Sequence, residues 1–310
     1  MSAFRAILAA VLFAAGPAAA VTINGEAGDP QAISLGVPFD GVAQIEFIGG
    51  RLCSGSLVAP TVVLTARHCT NGSSASGITA RFEDKSDGVT FSRGVTAIAE
   101  MAAGSAEFYD GTDIALLTLA NAVTELTPYR LWAEFGLGDI FRMVGYGHHA
   151  DPAIPSSGEY DGVRRAADNT VDAIGESSVI PAFGPMVGAM VDADHDDPSG
   201  TSNTLASVGS SPTMLLYEGG PAIGDSGGPI MFDRAGEWVI GGVLTGGTTT
   251  YGTYGDISQW TSVAAPAARD FIGTAAPDVS YAAPIPLPAS VAMLALALAG
   301  LVGLRRRTIS

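Results

Sequence analysis

Basic side chains are scarce in this sequence: 15 Lys and Arg residues stand against 31 Asp and Glu residues, for a formal net charge of −16. A surface of this sign repels nucleic acid and anionic lipid headgroups, so both are excluded as partners. Charged residues make up only 15% of the chain, whereas 40 residues are glycine. Helical periodicity is also scarce, and no internal repeat of fixed period is present. This composition favours many short strands joined by tight turns over a helical bundle.

Cysteine is nearly absent, since Cys53 and Cys69 are the only two in the chain. A zinc site is not expected, because there is no cysteine cluster and no His-x-x-x-His spacing. The acidic run Asp192–Asp197 superficially resembles a calcium loop, but it lacks glycine at the sixth place. Calcium binding and a solvated acidic loop both stay open there. We expect that the protein needs no cofactor.

The first 20 residues have the pattern of a secretory signal peptide. Arg5 precedes the apolar stretch Ala6–Ala15, and the small residues Ala18–Ala20 follow. We expect signal peptidase to cleave after Ala20. An uncleaved anchor is the alternative, although the apolar run is short for a membrane span. In an exported protein, two cysteines this close predict one disulfide, with two free thiols as the alternative.

The other end has an equally ordered pattern. Prolines punctuate Ala283–Ala289, the apolar run Val291–Leu304 follows, and Arg305–Arg307 comes after it. An apolar helix before a basic cluster is typical of a C-terminal anchor. The segment resembles the PEP-CTERM/VPLPA-CTERM sorting tail of Gram-negative bacteria. The resemblance implies an exosortase-type partner, export across the inner membrane, and a transient or retained anchor; a plain tail anchor stays open.

These two ends define the domain organisation that we expect. Residues 1–20 are a signal peptide, 21–274 one folded domain, 275–289 an Ala/Pro-rich linker, and 285–310 the sorting signal. The two ends contain four basic residues and no acidic ones, so without them the formal charge of the chain is about −20.

Short apolar runs bounded by turn residues predict strands along this domain. The polar stretch Gly147–Gly209 is interpreted as loops, and Val263–Ile272 is predicted to be a C-terminal helix. The predicted strands are Ala43–Ile48, Gly55–Val58, Val62–Thr65, Ile114–Leu119, Phe141–Tyr146, Met214–Tyr217, Pro229–Phe232 and Trp238–Leu244.

The strongest local signal is the hexapeptide Gly224-Asp225-Ser226-Gly227-Gly228-Pro229. A serine hydroxyl becomes a good nucleophile only when a base takes its proton, and the resulting oxyanion needs backbone N–H donors. Glycines let the backbone turn tightly and approach a substrate. Ser226 is therefore the candidate nucleophile, and the amides of Gly224 and Ser226 are the candidate oxyanion donors.

His68 and Asp113 are the candidate partners of this serine. His68 follows an apolar strand and stands beside Cys69, whose disulfide to Cys53 would anchor the backbone that carries the base. Asp113 opens a run of aliphatic residues, where a carboxylate is costly unless it is paired. A hydrogen bond to the imidazole would satisfy it and fix the tautomer.

These three motifs, in the order His, Asp, Ser, resemble those of the trypsin/chymotrypsin (S1) peptidase family over about residues 23–272. The resemblance implies an all-β fold of two antiparallel six-stranded β-barrels packed together, followed by the short C-terminal helix. His68 and Asp113 would come from the first barrel and Ser226 from the second. The implied activity is hydrolysis of peptide bonds in protein or peptide substrates through an acyl-enzyme intermediate.

Two features depart from the usual pattern of the family, and the specificity pocket is assigned by the resemblance alone. Arg67 stands where the family usually has alanine, and the second barrel lacks the further disulfides that the family often has there. The resemblance places Gly220 at the floor of the specificity pocket and Thr245, Gly247 and Gly252 along its wall. Glycine at the floor does not support a pocket for basic side chains and favours an uncharged one. Glu218 could still reach the pocket.

Activation in the family uses a new N-terminal amine that pairs with the Asp before the nucleophile, here Asp225. Thr22–Glu26 resembles the family's mature N-terminus, and no Lys or Arg lies between Ala6 and Gly50. Our hypothesis is that signal peptidase exposes the amine near Val21. Two other functions stay open: a binding protein on an inactive peptidase scaffold, and a protein that processes only itself. The intact triad motifs argue against the first of these.

Overall fold

The computed structural model describes residues 21–25, 28–84, 88–104, 108–148, 160–175, 188–247 and 252–283. The predicted signal peptide and the predicted sorting tail from residue 285 lie outside these ranges. Over the described ranges, no helix is both long enough and apolar enough to cross a membrane.

Six antiparallel strands close into a barrel in the first half of the chain. Alternate residues of one strand, Ile78, Ala80 and Phe82, are buried, as expected for a strand with one face on a core. In barrel order the strands are β2 (Val42–Phe47), β3 (Leu52–Ala59), β4 (Val62–Thr65), β7 (Ala115–Leu119), β6 (Val89–Glu100) and β5 (Ile78–Asp84).

In the second half, seven antiparallel strands form a sheet that curls into a half-barrel. Its core contains Phe141, Phe232 and Trp260, which are nearly fully buried. The all-β, chymotrypsin-like fold class is confirmed, and the sheet of this half contains seven described strands. Their order is β10 (Ala173–Gly175), β11 (Met190–Asp194), β15 (Ile257–Ser262), β14 (Glu237–Gly247), β13 (Pro229–Arg234), β8 (Ile140–Gly145) and β9 (Arg165–Thr170).

The remaining elements are short. Strand β1 (Thr22–Ile23) pairs with β12 (Gly219–Gly220) and so joins the start of the described chain to the segment before the candidate nucleophile. The C-terminal helix α3 runs from Pro266 to Ala275, slightly later than predicted, because proline is tolerated in the first helical turn. The other helical elements are α1 (Gly28–Gly36), α2 (Arg67–Thr70) and the 3₁₀ turns Ala75–Gly77 and Ala206–Val208.

Two predictions about local structure were wrong. Met214–Tyr217 forms no strand, and Gly147–Gly209 contains β9, β10 and β11. These strands were not predicted because they lack the alternation of apolar and polar residues. They bury polar side chains, among them Asn169, Asp192 and Asp194. The sequence interpretation also missed α1, β5, β6 and β15.

Candidate active site

His68 and Asp113 meet at the end of the first barrel. Strand β4 ends at Thr65 and the single turn α2 follows, which brings His68 next to Asp113, two residues before β7. Asp113 is fully buried; its Oδ2 lies 2.7 Å from His68 Nδ1, and its Oδ1 accepts the His68 backbone N–H at 2.8 Å. Because a carboxylate can only accept, Nδ1 carries the proton and Nε2 is the basic nitrogen.

A disulfide holds the residue next to this histidine. Cys53 of β3 and Cys69 of α2 are bonded, with their Cα atoms 6.4 Å apart, which confirms the predicted disulfide. The cross-link therefore joins the turn that carries His68 to the adjacent wall of the barrel.

Ser226 lies in a tight turn that only glycines permit. Gly224 and Gly227 have φ values of 99° and 81°, in the left-handed region. A Cβ atom on Gly227 would lie 2.2 Å from Thr65 Oγ1, so the turn packs directly on the first barrel. The backbone N–H groups of Gly224 and Ser226 donate to none of the described residues. Two donors are thus left for a ligand beside the Ser226 hydroxyl.

Ser226, Gly224 and His68 line one cavity of about 220 Å³. Within the described residues, Ser226 Oγ makes no hydrogen bond to His68 Nε2, which lies 3.8 Å from Cys69 Sγ. Catalytic hydrogen bonds of this kind are often long until substrate binds. The arrangement is suited to acyl transfer, with a hydroxyl, a base and two N–H donors around one space.

Ser54 connects the two halves at this site, and its role was missed from the sequence. Its backbone N–H donates to Ser226 O at 2.8 Å, and its hydroxyl donates to Gly224 O at 3.2 Å. The same hydroxyl accepts the Tyr146 N–H at 3.0 Å. The only hint in the sequence was its position in the motif after Cys53.

Asp225 is buried behind the Ser226 turn. Its Oδ1 accepts the Gly147 N–H at 2.7 Å, and its Oδ2 accepts the Ala222 N–H at 2.8 Å. Burial raises the pKa of Asp225 to about 6, against the opposing effect of these N–H donors, of Arg165 and of the Val21 backbone N–H. The start of the folded domain thus reaches the carboxylate that precedes the candidate nucleophile.

The four predicted pocket residues do not line this cavity. Gly220 and Gly252 pack around Thr22, whose hydroxyl donates to Gly252 O at 2.6 Å. Thr245 is buried against Thr261, with 3.0 Å between their hydroxyl oxygens. Cavity-lining residues from the same half are Pro221, Ala222, Ile223, Leu244 and Gly246, so Gly247 is one residue away from this wall.

The Glu218 carboxylate also makes its hydrogen bonds away from the cavity that contains Ser226. Its two carboxylate oxygens accept the N–H groups of Asp196 and Leu215, and burial raises its pKa to about 7. It does not line the cavity that contains Ser226. The possibility that Glu218 reaches into that space has no support in the structure.

Arg67 and Phe108 flank His68. Arg67 is largely buried; its Nε donates to Thr112 O at 3.2 Å, and its guanidinium lies 4.9 Å from the centre of the Phe108 ring. That ring lies edge-on to His68, with 5.7 Å between ring centres. Arg67 therefore packs on the ring that borders His68, and Phe108 is a further residue that the sequence interpretation missed.

The acidic run Asp192–Asp197 has its own hydrogen bonds. The Asp197 carboxylate accepts hydrogen bonds from the hydroxyls of Thr201, Ser199 and Ser202, which hold its pKa well below the usual range. Across the part of the chain that the structure describes, no group of three or more His, Cys, Asp or Glu residues is arranged to hold a metal ion.

A protein-family model described as Trypsin matches residues 31–177, just under half of the chain. The matched segment contains His68 and Asp113 and ends before the Ser226 turn. The match indicates a hydrolase, specifically a serine-type endopeptidase. It further supports placing the chain among the trypsin/chymotrypsin-like peptidases, in agreement with the barrel and half-barrel fold. A search of curated proteins found no match.

Proposed function

We propose that the chain is a secreted serine endopeptidase whose catalytic triad is His68, Asp113 and Ser226. One observation carries this proposal: His68 is held by two hydrogen bonds to the buried Asp113 at the edge of a cavity that Ser226 also lines. Protein or peptide chains are the substrates.

The geometry supports a stepwise mechanism. Ser226 Oγ attacks the carbonyl carbon of the scissile bond while His68 Nε2 takes the hydroxyl proton. The N–H groups of Gly224 and Ser226 stabilise the oxyanion. His68 then gives its proton to the leaving amine, and water, activated by the same nitrogen, hydrolyses the acyl-enzyme. Asp113 stays ionised throughout and stabilises the charged imidazole.

Activation by signal peptidase belongs to the same proposal. Cleavage after Ala20 would give Val21 a charged amine, and Val21 is buried next to Asp225. The amine would pair with the Asp225 carboxylate and stabilise the turn that holds the oxyanion donors. We expect a chain with Ala18→Leu and Ala20→Leu, which blocks cleavage, to lose about 10²-fold in activity. Mass spectrometry of the parent that finds a start well downstream of Gly25 would rule this route out.

The C-terminal segment is part of the proposal although it lies outside the described residues. Residues 285–310 would be recognised by an exosortase-type enzyme at the inner membrane of a Gram-negative bacterium. The protein would then be released or held at the cell surface. Intact-mass measurement of the exported chain tests this, because an uncut tail keeps Arg305–Arg307.

The proposed activity is tested by comparing the exported parent with Ser226→Ala. We expect fluorophosphonate labelling and casein hydrolysis in the parent, and neither in Ser226→Ala. Ser92→Ala, an exposed serine on β6, is the matched control and should label like the parent. A folded parent with a verified N-terminus that neither labels nor cuts would remove the proposed function.

A further inference from the structure

The cavity that holds Ser226 has a second wall that the proposed mechanism does not use. Arg51 and Leu52, at the start of β3, line it together with the disulfide. The disulfide lies beside His68, with Cys69 Sγ 3.8 Å from His68 Nε2, the nitrogen that in the proposed mechanism gives its proton to the leaving amine of the scissile bond. The Arg51 wall is therefore left for residues on the leaving-group side of that bond.

The Arg51 side chain is held in place by neutral groups. One guanidinium nitrogen, Nη2, donates to Cys69 O at 2.5 Å and to Ser73 Oγ at 2.7 Å. The guanidinium also lies 4.3 Å from the centre of the Phe47 ring. A side chain fixed in this way loses less conformational freedom when it binds a ligand.

These contacts leave the positive charge of Arg51 unpaired. None of the ion pairs among the described residues includes Arg51, and its Nε and Nη1 groups donate to none of these residues. Several other arginines are paired with carboxylates, namely Arg93, Arg130, Arg142, Arg164, Arg165 and Arg234. Among the described residues that line the cavity, Arg51 and His68 are the only ionisable side chains.

We infer that Arg51 forms a subsite for an acidic side chain within the first few residues after the scissile bond. The free guanidinium N–H groups would make charge-assisted hydrogen bonds to an Asp or Glu carboxylate. The chain has a net charge of −16, so most of its surface repels an acidic substrate. A local cation in the cleft therefore favours the binding register that places the acidic side chain beside it. This inference deepens the proposed peptidase function and rests on it.

The test uses the full exported chain and internally quenched peptides. Once the cleaved bond of a good peptide is known, Glu, Gln and Lys are placed in turn at each of the first positions after it. At one position we expect kcat/KM for Glu to exceed that for Gln by about 5-fold, the size expected of an exposed charge pair. The preference should shrink between about 0.05 M and about 0.5 M salt.

Variants test whether Arg51 causes the preference for Glu over Gln. In Arg51→Gln the ratio of Glu to Gln should fall to about 1, whereas Arg51→Lys should keep part of it. Arg269→Gln, an exposed position on α3, should keep the parent ratio. Rates are divided by the concentration of active sites from fluorophosphonate titration, so that misfolded protein does not lower the measured kcat/KM.

The outcomes separate the two proposals. If the parent labels and cleaves but treats Glu and Gln peptides alike, or if Arg51→Gln retains the preference, the subsite is wrong while the peptidase stands. If the parent neither labels nor cleaves, the proposed function fails, and the subsite fails with it.

Discussion

The first half of the molecule closes its six strands into a barrel and carries a disulfide, whereas the second half leaves seven strands as a curled sheet and contains no cysteine. The first core is mostly aliphatic. The second half packs aromatic rings and buries several charged side chains, among them Arg165, Asp192, Asp194, Asp196 and Glu218. The two halves therefore reach a buried core by different physical means.

This difference bears on what each half contributes to the site. The first half supplies His68 and Asp113, whose hydrogen bond needs a fixed geometry, and the disulfide lies next to them. The second half supplies Ser226 from a glycine turn that buried Asp225 supports. Stability of the first half should depend on its cross-link, and stability of the second on packing and pH.

The largest effect should come from the aromatic core of the second half. Phe232 stacks on Phe135 at 4.9 Å and meets Phe141 edge-on at 6.2 Å between ring centres. Phe232→Ala should lower the free energy of unfolding by about 3–5 kcal/mol, because it leaves a cavity in a packed core. Urea unfolding followed by tryptophan fluorescence measures this. A loss below about 1 kcal/mol would mean that packing does not stabilise this half.

The next effect concerns the disulfide of the first half. The double variant Cys53→Ala, Cys69→Ala opens a loop with a sequence separation of 16, which should cost about 3 kcal/mol. Hydrogen exchange should speed up in β3 and β4 and change little in β13 and β14. Equal acceleration in both halves would contradict the idea that the cross-link acts on the first half alone.

The smallest effect is the pH dependence of the second half. Burial, and then the charge of Asp194, raise the pKa of Asp172. A carboxyl group whose pKa is raised by folding binds more protons in the folded state, so its contribution to stability falls as pH rises above about 4. Glu218, with a pKa of about 7, acts in the same direction.

Asp172→Asn tests this dependence, since the amide keeps an oxygen that can accept the Asp194 N–H. Between pH 5 and pH 9 the parent Tm should fall more than that of Asp172→Asn, by about 2–4 °C. Asp270→Asn, exposed on α3, is the control and should follow the parent. Parallel curves for the parent and Asp172→Asn would remove Asp172 as a source of the pH dependence.

Much of the site could be predicted because its signals are local. The turn around Ser226 needs glycines in sequence, and the disulfide was correctly inferred from two cysteines in an exported chain. The predicted strands that proved correct, such as Val62–Thr65, are apolar runs that form part of a barrel wall and are mostly buried.

The rest depended on distant contacts that no local pattern carries. The sequence of strand β11 resembles an acidic loop because Asp192 and Asp194 are buried only in the folded structure. There the Asp194 carboxylate accepts the Leu205 N–H and the Ser210 hydroxyl, which are distant in sequence. Glycines at 220 and 252 suggested open space, but Thr22, far away in the sequence, occupies it. Arg51 is an ordinary exposed residue until the fold places it in the wall of the cavity.

The hydrogen bonds of Ser54 have a consequence for the order of synthesis. The first barrel, with the proposed triad members His68 and Asp113, leaves the ribosome long before the residues of the Ser226 turn are made. Because Ser54 contacts both Gly224 and Ser226, the proposed nucleophile is placed only after the second half has folded against the first. If the proposed triad is correct, a nascent or half-degraded chain therefore holds no assembled site, and proteolytic capacity first exists once both halves have folded together.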